Sequence, residues 1–337
     1  VNDMATFFAN YDVLTQRPDP NRTRVRPSDF YYLRRDQFVN NPNLKPTKQI
    51  NYQLGFKQAL DKKQTVAMTL SASYQERKDE VQYTRVNNAY PGAYASFDNI
   101  DFSTVKRGEI TFDTRRINNF KILASYTIQF ADGTGSGATT AVNLINAGLG
   151  NVKVASPLDF DQRHSVKMNL DYRLDSGQGP TIFGKKRLGG AGASLQMNAG
   201  SGFPYSKNTN SASSEIAIGV QSRNVLDGGI NSSRLPWNNR FSLRIYKNYN
   251  IKGNSLQVYM FVQNLLNTRN IINVYKNTGS PDDDGFLYSS PGNETYTSDQ
   301  EVDLYLARLT APNWGTTSPY SNYSMPRRIR FGMSYSF

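Results

Sequence analysis

The sequence predicts an all-β fold: an antiparallel transmembrane β-barrel wall of about ten strands, with long loops on one side and short turns on the other. Three observations lead there. Apolar and polar residues alternate in segment after segment, which is the period of a strand and not of a helix. Most of these segments exceed the usual soluble strand of about 5–6 residues. They match the about 9–11 residues with which a tilted strand crosses a bilayer. Finally, the connections between them alternate long and short along the chain.

A weak alternation over 4–13 opens the chain. In the segment after it, Ile50, Tyr52, Leu54, Phe56 and Leu60 fall on one face, with Gln49, Asn51, Gln53, Gly55 and Lys57 on the other. Val66, Met68, Leu70, Ala72 and Tyr74 mark the third strand, and 103–115 is a weaker fourth. Phe120, Ile122, Ala124, Tyr126, Ile128 and Phe130 mark the fifth; Val166, Met168, Leu170, Tyr172 and Leu174 mark the sixth. A weak seventh lies in 190–205, and Phe241, Leu243 and Ile245 define the eighth. Leu256, Val258, Met260 and Val262 form the ninth; Ile329, Phe331, Met333, Tyr335 and Phe337 close the chain. Segments 61–64, 116–119 and 250–254 are expected to be tight turns, and 175–189 an intermediate one on the same side. Segments 14–46, 79–103, 132–162, 206–236 and 268–324 are expected to be long loops. Bacterial outer-membrane barrels place short turns in the periplasm and long loops outside. This phase puts Val1 and Phe337 on the periplasmic side.

Composition fits a wall with one apolar face. Hydrophobic residues are only 38%, yet the chain holds 21 Tyr and 18 Phe. A mean hydropathy of −0.60 excludes helical spans but not strands whose other face is polar. The absence of Cys excludes disulfide scaffolds and thiolate metal sites, and one His cannot build a histidine metal centre. The opening VNDMATFFANYDVL lacks the charged start and apolar core of a secretory signal. A removed signal, or a true beginning upstream of Val1, is therefore expected.

The terminal RFGMSYSF, with Arg330, Gly332, Tyr335 and Phe337, resembles the C-terminal β-signal that the barrel-assembly machinery recognises. NLKPTKQINYQLGFKQAL (43–60) and FVQNLLNTRN (261–270) resemble the C-terminal half of TonB-dependent outer-membrane receptors, with Leu266 where the family has Phe. SPLDFDQRHSVKMNLDY (156–172) and SGFPYS (201–206) resemble the SusC-like branch, including members with a carboxypeptidase-regulatory-like domain. The resemblance implies a barrel of about 22 strands around a plug. Residues 1–337 would then be the C-terminal part of the barrel domain, with the plug and the N-terminal strands not present in this chain. It further implies residence in the bacterial outer membrane and uptake of a nutrient: an iron chelate, an oligosaccharide or a peptide. Implied partners are TonB through an absent N-terminal region, the barrel-assembly machinery, lipopolysaccharide and lipid, and a surface-exposed lipoprotein. A receptor-like scaffold in an outer-membrane complex is the alternative, and a complete ten-stranded hydrolase a more distant one. No cofactor, catalytic residue or metal ligand is expected.

On the inward face the candidates are basic: Lys57, Arg107, Lys121, Lys167, Arg240, Arg244 and Arg328, with Arg115, Arg173 and Arg330. Only Glu109, Asp113 and Asp171 oppose them there. A basic lumen can attract anionic substrates; pairing with acidic groups of a plug, or of these wall residues with each other, is the favoured expectation. At the outer rim Tyr31, Tyr32, Arg34 and Arg35 are candidate contacts, within a loop that also holds Arg17, Arg22, Arg24, Arg26 and Lys45. Basic residues among aromatics can bind nucleic acid. In an outer rim they suit lipopolysaccharide phosphates, a lipoprotein or solvent, and no nucleic-acid partner is expected. Asp282, Asp283, Asp284, Glu294, Asp299, Glu301 and Asp303 crowd the last loop without the spacing of a calcium loop, so a solvated acidic loop is expected. His164 opens a strand on the apolar face and reads as a boundary histidine. GGAGAS (189–194) opens a strand and not a helix, so it reads as wall packing and not as a phosphate loop.

Overall fold

A computed structural model describes residues 4–29, 31, 38–90, 92–146, 148, 150–175, 177–181, 188–209, 226–251, 253–310 and 322–336. Ten long strands form one antiparallel sheet. They are β1 (Ala5–Gln16), β2 (Thr47–Ala59), β3 (Val66–Val86), β4 (Tyr94–Thr114), β5 (Phe120–Gly133), β7 (His164–Arg173), β8 (Ala191–Gly200), β11 (Asn238–Ile251), β12 (Asn254–Gln263) and β13 (Arg328–Ser336). Three strands of two residues each lie between them: β6 (Ser156–Pro157), which pairs with the end of β5, and β9 (Pro204–Tyr205), which pairs with β10 (Ser233–Arg234). The long strands follow chain order, each pairing with the next, and the sheet does not close: β1 and β13 each have one unpaired edge. All ten expected strands are present. Among the described residues, no helix is long and apolar enough to cross a membrane.

The register aligns the alternation of neighbouring strands, because opposed residues share a face. Phe7, Phe56, Leu70, Ile110, Tyr126 and Val166 form one continuous cross-strand row. Leu195, Leu243, Val262 and Ile329 form another on the same face. Much of this face is exposed among the described residues, Phe7, Leu54, Ile110, Phe331 and Met333 included. An aqueous sheet would bury such a contiguous apolar surface. The opposite face carries the polar set.

The tight turns have local causes. Asn118 and Asn119 both hold positive φ, as a two-residue hairpin demands, and Ile117 and Phe120 exchange backbone hydrogen bonds around them. The carboxylate of Asp61 accepts from the backbone N–H groups of Thr65 and Val66 and from the Thr65 hydroxyl, all at 2.7–2.8 Å. The Thr65 hydroxyl bond, with the backbone bonds, holds its pKa below the usual carboxylate range.

On the polar face, three glycines lie beneath aromatic rings of the adjacent strand. Gly55 lies under Phe8, Gly192 under Tyr246 and Gly332 under Tyr259, each pair in direct register. A Cβ at any of the three would run into the ring. This explains GGAGAS as wall packing.

The segment 79–103, expected as a loop, is instead mostly strand. β3 and β4 each run 21 residues, so the loop shrinks to 87–93. A register irregularity between Arg77 and Val81, with Asp79 at φ 57°, interrupts the pattern at the level where the neighbouring strands stop. Beyond it the buried residues are largely polar, so hydropathy alternation goes silent although the ladder continues.

Candidate functional site

The polar face of the sheet and the rim formed by its long loops hold most of the candidates. The alternation and register place Lys57, Arg107, Lys121, Lys167, Arg240, Arg244 and Arg328 on the polar face. Arg107 donates to Gln129 Oε1 at 2.8 Å and Arg244 to Gln257 Oε1 at 2.9 Å. The Arg244 guanidinium also sits 4.5 Å from the centre of the Tyr259 ring. Gly332, Tyr259 and Arg244 thus form a three-layer stack across β13, β12 and β11. It borders a cavity of about 520 Å3 that Asp171, Gln196 and Phe261 also line. Asp171 pairs with Arg116, a turn residue that face counting alone did not single out.

Lys167 and Arg240 belong to a second cavity of about 260 Å3 nearer the rim. Both oppose Asn198, from β7 on one side and β11 on the other. Ser165, Gly200 and Asn238 form the next row toward the rim. Ile271 and Ile272, from the last loop, face this cavity together with Phe203. Asn270 fixes that loop: its amide donates to Asn239 O at 2.8 Å and its carbonyl oxygen accepts from Asn239 N at 2.9 Å.

The rim is held by buried polar groups. Asp161 is fully buried and accepts from Arg163 at 2.9 Å, Arg234 at 2.5 Å and the backbone N–H of Ala131 at 2.9 Å. Beside it Val105, Ala131 and Leu158 make a small apolar cluster. Gln82, 1% exposed, donates to Asp101 at 2.7 Å and accepts from Tyr83 N at 2.9 Å. The Thr134 hydroxyl donates to the other Asp101 oxygen at 2.9 Å. An amide buried this way is stable only because each of its groups is bonded.

Of the rim candidates, Tyr31 is exposed, whereas Tyr32, Arg34 and Arg35 lie outside the described residues. The first loop is anchored instead by Phe38, which packs on Tyr83 and Phe97 of the tall hairpin, and by Arg22 over the Phe97 ring. Arg330, Gly332 and Tyr335 lie on β13, and Phe337 falls outside the described residues.

In the last loop Glu294, Asp299, Glu301 and Asp303 are exposed, as expected of a solvated acidic segment, whereas the DDD run at 282–284 is drawn inward. Tyr323 donates to Asp282, and Tyr305 donates to the buried Asp284 at 2.5 Å. Burial first, and the Asp284 hydrogen bond second, push the Tyr305 hydroxyl well above the ordinary phenol range, so it remains a donor. Phe286, Tyr296 and Tyr305 pack beneath as an aromatic cluster. Asp282 and Asp284 thus serve loop structure. No group of three or more His, Asp or Glu side chains suited to a metal ion occurs among the described residues.

His164 is on the apolar face, its ring between Tyr126 and Trp237. Its Nδ1 is 2.8 Å from the Tyr126 hydroxyl. The nearby Asp161 carboxylate is taken up by two arginines, so no Asp–His pair of the hydrolytic kind forms.

A family model described as TonB dependent receptor-like, beta-barrel matches residues 1–265. No curated protein sequence matches the chain. Among solved structures, Pseudomonas aeruginosa FpvA in an FpvA-Pvd(ATCC13535)-Fe complex is 12% identical with a TM-score of 0.51, covering 100% of this chain and 31% of that one. The FpvAI–pyocin S2 complex gives 12% identity, a TM-score of 0.50 and the same coverage, 100% and 31%. The ferric-catecholate import receptor Fiu from Escherichia coli K12 gives 13%, a TM-score of 0.47, and 83% and 31% coverage. The chain spans less than a third of the length of these structures, and at such identities the likeness is one of fold.

Proposed function

This chain belongs to the TonB dependent receptor-like β-barrel family, and from that premise we propose that it forms part of the wall of an outer-membrane barrel that takes up a nutrient. One observation carries the proposal: across ten strands one face is apolar and, among the described residues, largely exposed, while the other is polar and basic. The first suits lipid and the second a water-filled or plugged lumen. The two open sheet edges support a place within a wider barrel of about 22 strands, as its C-terminal portion. Iron chelates, oligosaccharides and peptides are the candidate cargoes. The pyoverdine–iron complex of the FpvA structure keeps iron chelates among them.

In this reading Lys57, Arg107, Lys121, Arg244 and Arg328 face the plug, and TonB drives opening from the periplasmic side. Arg330, Gly332, Tyr335 and Phe337 serve as the assembly signal, and the exposed Tyr31 marks the outer rim. The SusC-like assignment, with its surface lipoprotein, rests on 156–172 and 201–206. These two segments meet in the structure: Ser201 Oγ accepts from His164 N, and Gln162 donates to Ser201 O, both at 3.0 Å.

The test is expression of the full-length protein in its own host, with cell fractionation and growth on ferric chelates, oligosaccharides and peptides as sole iron or carbon source. Outer-membrane residence and growth that requires both this protein and TonB are expected. A protein absent from the outer membrane overturns the reading; one present there with no growth phenotype favours the scaffold alternative.

A further inference from the structure

The cavity at Lys167 and Arg240 differs from the neighbouring cavity at Arg244. There the arginine is engaged by Gln257 and Tyr259, as Arg107 is by Gln129 further along the wall. Two carboxylates flanking it are engaged as well, Asp161 by Arg163 and Arg234, and Asp171 by Arg116. Among the described residues no carboxylate lines the cavity, and neither Lys167 nor Arg240 forms an ion pair. Both side chains are exposed.

Their placement is convergent. Lys167 and Arg240 stand one strand to either side of Asn198, so their backbones are about 10 Å apart, twice the spacing of paired strands. Both long side chains can reach the space above the Asn198 amide. Gln162, Ser165 and Asn238 add neutral polar groups at the rim side. Opposite them Phe203, Ile271 and Ile272 present apolar surface, with Phe203 and Ile272 about half exposed. The Asn270–Asn239 bonds hold Ile271 and Ile272 beside the strand that carries Arg240. Two cations, amide donors and an apolar wall therefore share one concave site, the combination with which pockets orient amphipathic ligands. Leaving both cations unpaired is tolerable only because they remain solvated. An incoming carboxylate would make charge-assisted hydrogen bonds to them.

We propose that this cavity is a binding subsite for the carboxylate of an organic acid, whose apolar portion lies against Phe203, Ile271 and Ile272. The proposal rests on the reading of this face as a lumen wall and gives that reading a substrate class.

The test uses the intact receptor purified in detergent, with 4-phenylbutyrate and its neutral amide as probes, followed by calorimetry or ligand-observed NMR. The carboxylate is expected to bind at least tenfold more tightly than the amide, and more weakly as salt rises. Lys167→Gln together with Arg240→Gln should abolish that preference. Lys63→Gln, exposed in the tight turn between β2 and β3, should leave it intact. Both side chains are exposed, so the double variant should fold, which heat-modifiable migration checks. Equal binding of acid and amide, or unchanged preference in the double variant, overturns the proposal. The assay needs no transport, so the two readings fail separately. Selective binding by a protein that transports nothing keeps the subsite and removes the transport reading. Uptake that persists while acid and amide bind alike does the reverse.

Discussion

The wall and the rim of this molecule are held together by different means. In the wall, a residue's surroundings follow from its parity: even a charged side chain is accommodated by pointing to the polar face, and few specific partners are needed. In the rim, parity decides little. Asp161, Gln82 and Asp101 are buried and survive there only through particular hydrogen bonds contributed by segments far apart in the chain. The wall is therefore tolerant and additive, whereas the rim is cooperative and brittle.

The largest effect expected from a single change should break the rim and spare the wall. Asp161→Ala leaves two arginines without their shared carboxylate, a loss of about 3–5 kcal/mol when a buried pair loses one partner. Proteolysis should then cut within the rim segments while the barrel still migrates as folded. A variant as resistant as the wild type would mean that the latch contributes nothing. A second change sharpens the division between the two faces of the wall itself. Phe331→Arg places a charge on the exposed apolar face, and Ser334→Arg places one on the polar face. The first should cost about 2–4 kcal/mol if that face meets the middle of a bilayer, and the second close to nothing. Folding equilibria in lipid vesicles measure both, and equal costs would refute the assignment of faces.

The smallest effect concerns the last loop, where Glu301 accepts from the Ser298 hydroxyl and from the backbone N–H groups of Ser298 and Thr297 at the start of a helix spanning Asp299–Thr310. The Ser298 hydroxyl, then those backbone bonds, hold the Glu301 pKa below its ordinary value. A carboxyl whose folded pKa is depressed adds stability above its unfolded pKa, and that stability is lost as pH falls through the folded value. Amide exchange at Ser298 should therefore quicken as pH is lowered from about 5 toward about 3, after correction for intrinsic rates. Glu301→Gln should remove the dependence, and identical profiles for the two proteins would rule the cap out.

The same contrast explains what could be read from the amino-acid sequence. Leu54, Ile128 and Val258 announce their face by period alone, because solvent and lipid sort side chains in a way that hydropathy records. The upper halves of β3 and β4 were silent, because Gln82, Ser96, Asp101 and Ser103 are buried polar residues and the irregularity at Asp79 interrupts the alternation. The basic candidates landed on the polar face as counted, but their engagement was not legible. That Arg116 would neutralise Asp171, or that Arg234 would reach Asp161 across 73 positions, depends on contacts that no local pattern encodes. Asp161 and Arg163 stood in plain view beside His164, and only the missing third member hid their purpose.

The height of β3 and β4 has a mechanical consequence. At about 3.3 Å per residue, 21 residues reach about 70 Å, whereas the 10 residues of β12 reach about 33 Å. One side of the rim is thus a tall cantilever, laddered on both sides of a single irregularity at Asp79. The other is topped by short helices and turns that side-chain bonds tie to the sheet. Local opening proceeds where backbone ladders are absent. Deformation of the rim should therefore concentrate on the low side, the side from which Ile271 and Ile272 overhang the cationic cavity.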